Sequence, residues 1–145
     1  ASDVDLTERA ALLHDVGKIG ISQATLTSAA ELTAAEVRQV RLHPVIGAEL
    51  TEDVVFLSDI VPIIRHHHEW WDGSGYPRGL KSTEIPLVAR IFAIVDSWDA
   101  LISDRPYRKA WSKRDALSHI IDQSGNHFDP DVVNAFVQML REEKL

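Results

Sequence analysis

Residues 87–103 read LVARIFAIVDSWDALIS. Apolar side chains run nearly all the way round this stretch, a pattern that fits a helix buried in the middle of a domain rather than one laid along its surface. Valine and isoleucine are plentiful, yet no sustained period-2 alternation appears here or elsewhere in the chain, which argues against strands. The helix therefore predicts an all-α fold built around it.

The segments on either side agree. Upstream, residues 54–69 keep helical periodicity despite Pro62, and residues 72–86, with Gly73, Gly75, Pro77, Gly79 and Pro86, form an unusually long structured loop. Downstream, two amphipathic segments at about 113–123 and 130–143 close the chain. At the start, Leu6, Ala10, Leu13 and Val16 follow helical spacing, with Thr7 a candidate cap and Gly17 and Gly20 near the end, so one helix is expected to about residue 17. Residues 19–32 read as a loop. Thr33 with Glu36 forms a capping box that starts a second helix at about 34, and Pro44 places a break or kink near His43.

The chain has 145 residues, no cysteine and a formal charge of −7. That length suits one domain, and the lack of cysteine fits a reducing compartment such as the cytoplasm. Net acidity argues against a general nucleic-acid binder, since counterion release needs basic surface. An anionic ligand would have to be met by a few local cations or by metal. No apolar run approaches the length of a membrane span.

Histidines concentrate in the N-terminal half: His14, His43, His66, His67 and His68. In HDVGK at 14–18, a helix would put His14 and Lys18 on one face and Asp15 about 100° round, bordering one cleft. A His-Asp pair suits a divalent cation, with lysine facing a bound anion, although such a dipeptide alone is usually a surface pair or a hydrogen-bonded core histidine. His43, beside the proline break, could point inward as a ligand or be a buried hydrogen-bonded histidine. Three consecutive histidines cannot serve one metal from one helix face unless the helix ends there, and a solvated helix end is the competing reading. Asp96, inside the most apolar helix, is costly unless metal-bound, hydrogen-bonded or paired with Arg90 or Arg105. Taken together, histidine and carboxylate favour iron, manganese, zinc or nickel over magnesium or calcium, and the number of ligands suggests two metals, an arrangement suited to attack on a phosphate ester.

At this point the sequence strongly resembles the HD-GYP family, a branch of the HD-domain metal-dependent phosphohydrolases that acts on the bacterial messenger cyclic di-GMP. The resemblance rests on HDVGK at 14–18, HP at 43–44, HHEWWDGSGYP at 67–77, VDSWDAL at 95–101, SDRPYRKA at 103–110 and HFDP at 127–130, in the family's order. It implies an all-α HD-domain helical bundle holding two divalent metals, iron or manganese first and zinc or nickel next. The implied ligands are His14, Asp15, His43, His67, His68 and Asp96, with Asp15 bridging the metals and His66 left without a metal role. Lys18 would act beside Asp15 in catalysis at the scissile phosphate. Lys18, Tyr76, Pro77, Arg105 and Arg108 would contact the substrate.

The implied activity is cyclic di-GMP phosphodiesterase, a metal-bridging hydroxide opening the ring to linear pGpG and further to GMP. Partners implied by the family are diguanylate cyclase and receiver domains. One departure stands out: the family carries further N-terminal helices with a histidine ligand, whereas 13 residues without histidine precede His14. The expectation is one domain over 1–145, truncated at its N-terminus. The competing expectation is a degenerate module that binds cyclic di-GMP or a partner protein without hydrolysis.

Overall fold

The computed structural model describes residues 2–105 and 108–142; Pro106 and Tyr107 of the SDRPYRKA stretch, and Glu143 at the expected end of the last helix, lie outside them. The described residues hold eight α-helices and no β-strand, only two isolated bridges, Arg105 with Arg108 and Ser124 with Phe128. In chain order the helices are α1 (Asp3–Leu13), α2 (Gln23–Leu26), α3 (Ala34–Val40), α4 (His43–Glu52), α5 (Val61–His66), α6 (Leu87–Ile102), α7 (Lys113–Asp122) and α8 (Pro130–Glu142). No helix among them is long and apolar enough to cross a membrane.

The central helix is where the sequence put it. α6 joins two cores: Val88 and Ala89 pack with Ala10, Ile60, Ile63, Ile64 and Ile85. One turn on, Ala93 and Ile94 pack with Ile120, Phe128, Val133, Phe136 and Leu140. Burying a side chain such as Phe92 or Ile94 contributes about 1.5–3 kcal/mol each, so α6 stabilises both halves. It is not buried all round, however, since Leu87 and Val95 remain 47% and 43% exposed.

Pro44 and Pro62 both fall at helix starts, so the periodicity over 54–69 does not run as one helix through Pro62. Pro44 lies in the first turn of α4 and Pro62 in the first turn of α5, where a missing N–H costs no intrahelical bond. The Thr33 capping box is present, with Glu36 N–H donating to Thr33 Oγ1 and Thr33 N–H to the Glu36 carboxylate. Inside the expected loop 19–32, Ser22 caps the short α2 by accepting from Thr25 N–H.

The expected first helix to residue 17 is shorter. α1 ends at Leu13 and the chain tightens into a 3₁₀ turn over Val16–Gly20, so the HD pair occupies the break and not a helix face. The cause is packing. Gly17 lies flat on α4, where a Cβ would stand 1.9 Å from the His43 carbonyl oxygen and 2.5 Å from the Gly47 nitrogen. α1 itself is tied to the segment before α5 by Arg9, which reaches both carboxylate oxygens of Asp59 and the Phe56 carbonyl.

Gly17→Ala is expected to destabilise the fold by about 1–3 kcal/mol, because the backbone atoms it meets cannot move aside. Gly20→Ala, which meets only the flexible end of Ile46, serves as the near-neutral control. Urea unfolding of both variants checks this; equal midpoints would show that the contact at Gly17 is not needed.

Candidate metal centre

Four chain segments deliver side chains to one place: the end of α1 (His14, Asp15), the start of α4 (His43), the end of α5 (His67, His68) and the middle of α6 (Asp96). His43 Nε2 lies 3.3 Å from His67 Nε2 and 3.3 Å from Asp15 Oδ1. His14 Nε2 is 3.4 Å from Asp15 Oδ2 and 4.0 Å from Asp96 Oδ1. His43, His67 and His68 each offer a nitrogen within 4.8 Å of the others, close enough to hold one metal ion.

Backbone carbonyls set the direction of three of these rings. Nδ1–H of His14 donates to the Ala11 carbonyl at 2.9 Å, that of His43 to Val40 at 2.7 Å and that of His67 to Ile64 at 2.7 Å. Each bond spans three residues at the edge of a helix and fixes the tautomer, so in the neutral ring Nε2 carries a lone pair. The facing Nε2 atoms of His43 and His67 are then both acceptors with no proton between them. Burial keeps them so. It lowers the His43 imidazole, and burial followed by the charge of His68 pushes His67 down to about 2. His68 falls to about 4, from burial and then His43. A cation satisfies such a set of nitrogens, and the donor types suit a borderline divalent metal.

Asp15 shares its carboxylate. Oδ1 faces His43, while Oδ2 faces His14 and accepts from Lys18 Nζ at 2.6 Å. Burial pushes this carboxyl up, but the Lys18 hydrogen bond and the charges of His14, Lys18 and His43 outweigh it and hold it below the usual carboxylate range. Asp96 is shifted the other way, upward by burial and by Asp15 against the pull of His14 and Arg105. The alternative of a salt bridge to Arg90 is not the one formed, since Arg90 Nη1 donates to Asp129 Oδ2 at 2.5 Å.

His66 turns away from the cluster. It is buried, with Nδ1 3.4 Å from Glu69 Oε1, and Glu69 itself accepts from the amides of Arg78 at 2.8 Å and Leu80 at 3.0 Å. The glutamate thus holds the loop beyond the histidines closed upon itself. Two more bonds fasten that loop to the HFDP turn: Trp71 N–H donates to the His127 carbonyl and Asp72 N–H to Asn126. Gly75 lies so close to the strip before it that a Cβ would stand 2.3 Å from the Trp70 nitrogen. The following Tyr76–Pro77 bond is cis, and the Tyr76 ring stacks on His68 with centroids 4.9 Å apart.

Beside His67 and His68 this leaves a cavity of about 240 Å³, lined also by Trp70, Tyr76, Asp96, Ser97 and His127. The His127 ring is stacked between Trp70 and Phe128, at 4.3 and 4.1 Å. Arg105 is exposed beyond the C-terminal end of α6. The Arg108 guanidinium instead donates to the Ala100 carbonyl and lies over Trp111, so it ties Arg108, which is bridged to Arg105, to α6. Sequence reasoning gave no role to Glu69, His127 or Arg41, whose guanidinium lies 5.0 Å over the Tyr76 ring. The only signal was adjacency to motifs, because burial of a lone glutamate in a polar loop has no periodicity to reveal it.

Known proteins are similar to this chain over most of its length. Residues 2–132 match the HD domain family. The chain is 44% identical over 138 residues to the "Cyclic di-GMP phosphodiesterase response regulator RpfG" of Xanthomonas campestris, covering 94% of this chain and 36% of that protein. It is 41% identical over 145 residues to a "Cyclic di-GMP phosphodiesterase" of Thermotoga maritima, covering 97% and 39%. A "3'3'-cGAMP-specific phosphodiesterase 2" of Vibrio cholerae is 36% identical over 139 residues, covering 94% and 27%. The chain therefore spans well under half the length of these relatives. The fold is similar to that of a crystallised V. cholerae cyclic GMP-AMP specific phosphodiesterase (V-cGAP3), with a TM-score of 0.70 at 21% identity over 97% of this chain and 39% of that one. With the HD pair, the HHE and GYP segments and an all-helical fold in one chain, the protein belongs to the HD-domain family, in its HD-GYP branch.

Proposed function

We propose that this chain is a metal-dependent phosphodiesterase that hydrolyses cyclic di-GMP to linear pGpG, with GMP from a second cut. The observation that carries this reading is the pair of facing Nε2 lone pairs on His43 and His67, 3.3 Å apart beside the shared Asp15 carboxylate. The names of the relatives supply the substrate class.

In this reading two divalent cations, iron or manganese before zinc or nickel, occupy the cluster. His43, His67, His68 and Asp15 Oδ1 would hold one, and His14, Asp96 and Asp15 Oδ2 the other. Divalent cations so placed lower the pKa of water and offset the charge that develops on phosphoryl oxygens. Lys18, kept beside Asp15, presents an ammonium to the scissile phosphate as its 3′ oxygen departs. Tyr76 lines the cavity, with Pro77 next to it in the chain, and in this reading these two contact the substrate together with Arg105 and Arg108 beyond the end of α6. A soluble cytoplasmic enzyme working with a receiver or diguanylate cyclase partner fits the response-regulator name of the Xanthomonas relative.

Asp15→Ala is expected to release bound metal, read by elemental analysis. It should also lower pGpG formation by more than the roughly 10–100-fold that changes outside the ligand set cost. His67→Gln should lose metal and turnover, whereas His66→Gln should keep its metal and show a lowered melting temperature, since His66 supports Glu69. Equal metal loss in the two variants would overturn the division of the histidines. Chelation should stop turnover of cyclic di-GMP and of 3'3'-cGAMP alike, with iron or manganese restoring it; undiminished turnover in the metal-stripped protein would end the metal-dependent reading.

A further inference from the structure

The cations around the metal centre are mostly committed. Lys18 is bonded to Asp15, Arg90 to Asp129 and Arg108 to the Ala100 carbonyl, and the exposed Arg105 is already given to the substrate in the reading above. Arg41 is different. It is exposed, caps the C-terminus of α3 and has no carboxylate partner among the described residues. Its guanidinium lies 5.0 Å over the Tyr76 ring, and that ring stacks on His68. Arg41 thus stands one ring away from the ligand cluster.

Its position is not loosely held. Two residues on, His43 is locked by its bond to the Val40 carbonyl, which closes the turn carrying Arg41. Tyr76 is fixed from the other side, its N–H donating to the His68 carbonyl at 3.1 Å. One residue therefore sits on the same short turn as a cluster histidine, and its partner ring rests on another. An unpaired cation with an immobile base is suited to an anion that arrives from solvent. A guanidinium resting on a ring keeps its N–H fork free for the two oxygens of a phosphate.

A cyclic dinucleotide carries two phosphodiesters held apart by its ring. When one lies at the cluster and Lys18, the other must lie further out, at the rim. We propose that Arg41, resting on Tyr76, binds the second, non-scissile phosphate and so selects cyclic dinucleotides over substrates with a single phosphodiester. This rests on the cyclic dinucleotide reading above.

The test compares two substrates on the metal-loaded protein: cyclic di-GMP, with two phosphodiesters, and bis(p-nitrophenyl) phosphate, with one. Arg41→Ala is expected to raise KM for cyclic di-GMP about tenfold or more, the loss of a charge-assisted contact to phosphate, with kcat within about twofold. It should leave kcat/KM for bis(p-nitrophenyl) phosphate and the melting temperature unchanged, and Arg41→Lys should recover part of the loss. An unchanged KM for cyclic di-GMP overturns the assignment. So does a parallel fall of kcat on both substrates, which would mark Arg41 as acting through Tyr76 on the cluster. If the unaltered protein cleaves bis(p-nitrophenyl) phosphate but neither binds nor cleaves cyclic di-GMP, the substrate reading itself fails and Arg41 falls with it, a result visible before any variant is made.

Discussion

The backbone contact between Gly17 and the first turns of α4 sets the geometry of everything around it. With no side chain on Gly17, the turn after α1 approaches the His43 carbonyl and Gly47 directly. This approach brings Asp15 within 3.3 Å of His43 and lets Lys18 fold back to the same carboxylate at 2.6 Å. A larger residue would push apart two segments that each carry part of the cluster. Because α4 also packs on α5, the same contact relays position to His67 and His68.

Much of this was legible in advance, and the limits have physical causes. The α6 helix, the Thr33 box and the break near Pro44 are local effects, determined by a few neighbouring residues, whereas the start of α5 at Val61 was hidden by a periodicity that ran through Pro62. Spacing pointed to sites at 14–15, 43, 66–68 and 96, and the family resemblance narrowed them to His14, Asp15, His43, His67, His68 and Asp96, which lie together in the fold. The end of α1 at Leu13 was not legible, because it follows from a tertiary contact and not from local propensity. Likewise, nothing in SDRPYRKA distinguishes Arg105, exposed, from Arg108, which gives one N–H to the Ala100 carbonyl. The full enclosure expected of α6 failed at Leu87 and Val95, since the neighbouring helices cover one side of it.

The cluster trades stability for readiness. Neutral imidazoles with facing lone pairs gain nothing from one another, and their burial removes them from water. What keeps them in place is bonding from behind: the carbonyls of Ala11, Val40 and Ile64 each accept from a ring. Those carbonyls lie at helix ends, where acceptors lack intrahelical partners. Unsatisfied helix termini are thereby turned into supports for the histidines, and the rings need no rearrangement to receive a cation.

Glu69 carries a consequence for how such a site can diversify. Surface loops ordinarily accept changes of length. Here the carboxylate grips the amides of both Arg78 and Leu80, while Trp71 and Asp72 are fastened to the HFDP turn. An inserted or deleted residue between 69 and 80 would pull against the helix end that presents His67 and His68. New ligand preferences are therefore accessible by exchanging side chains on a loop of constant length, and lengthening it closes that route.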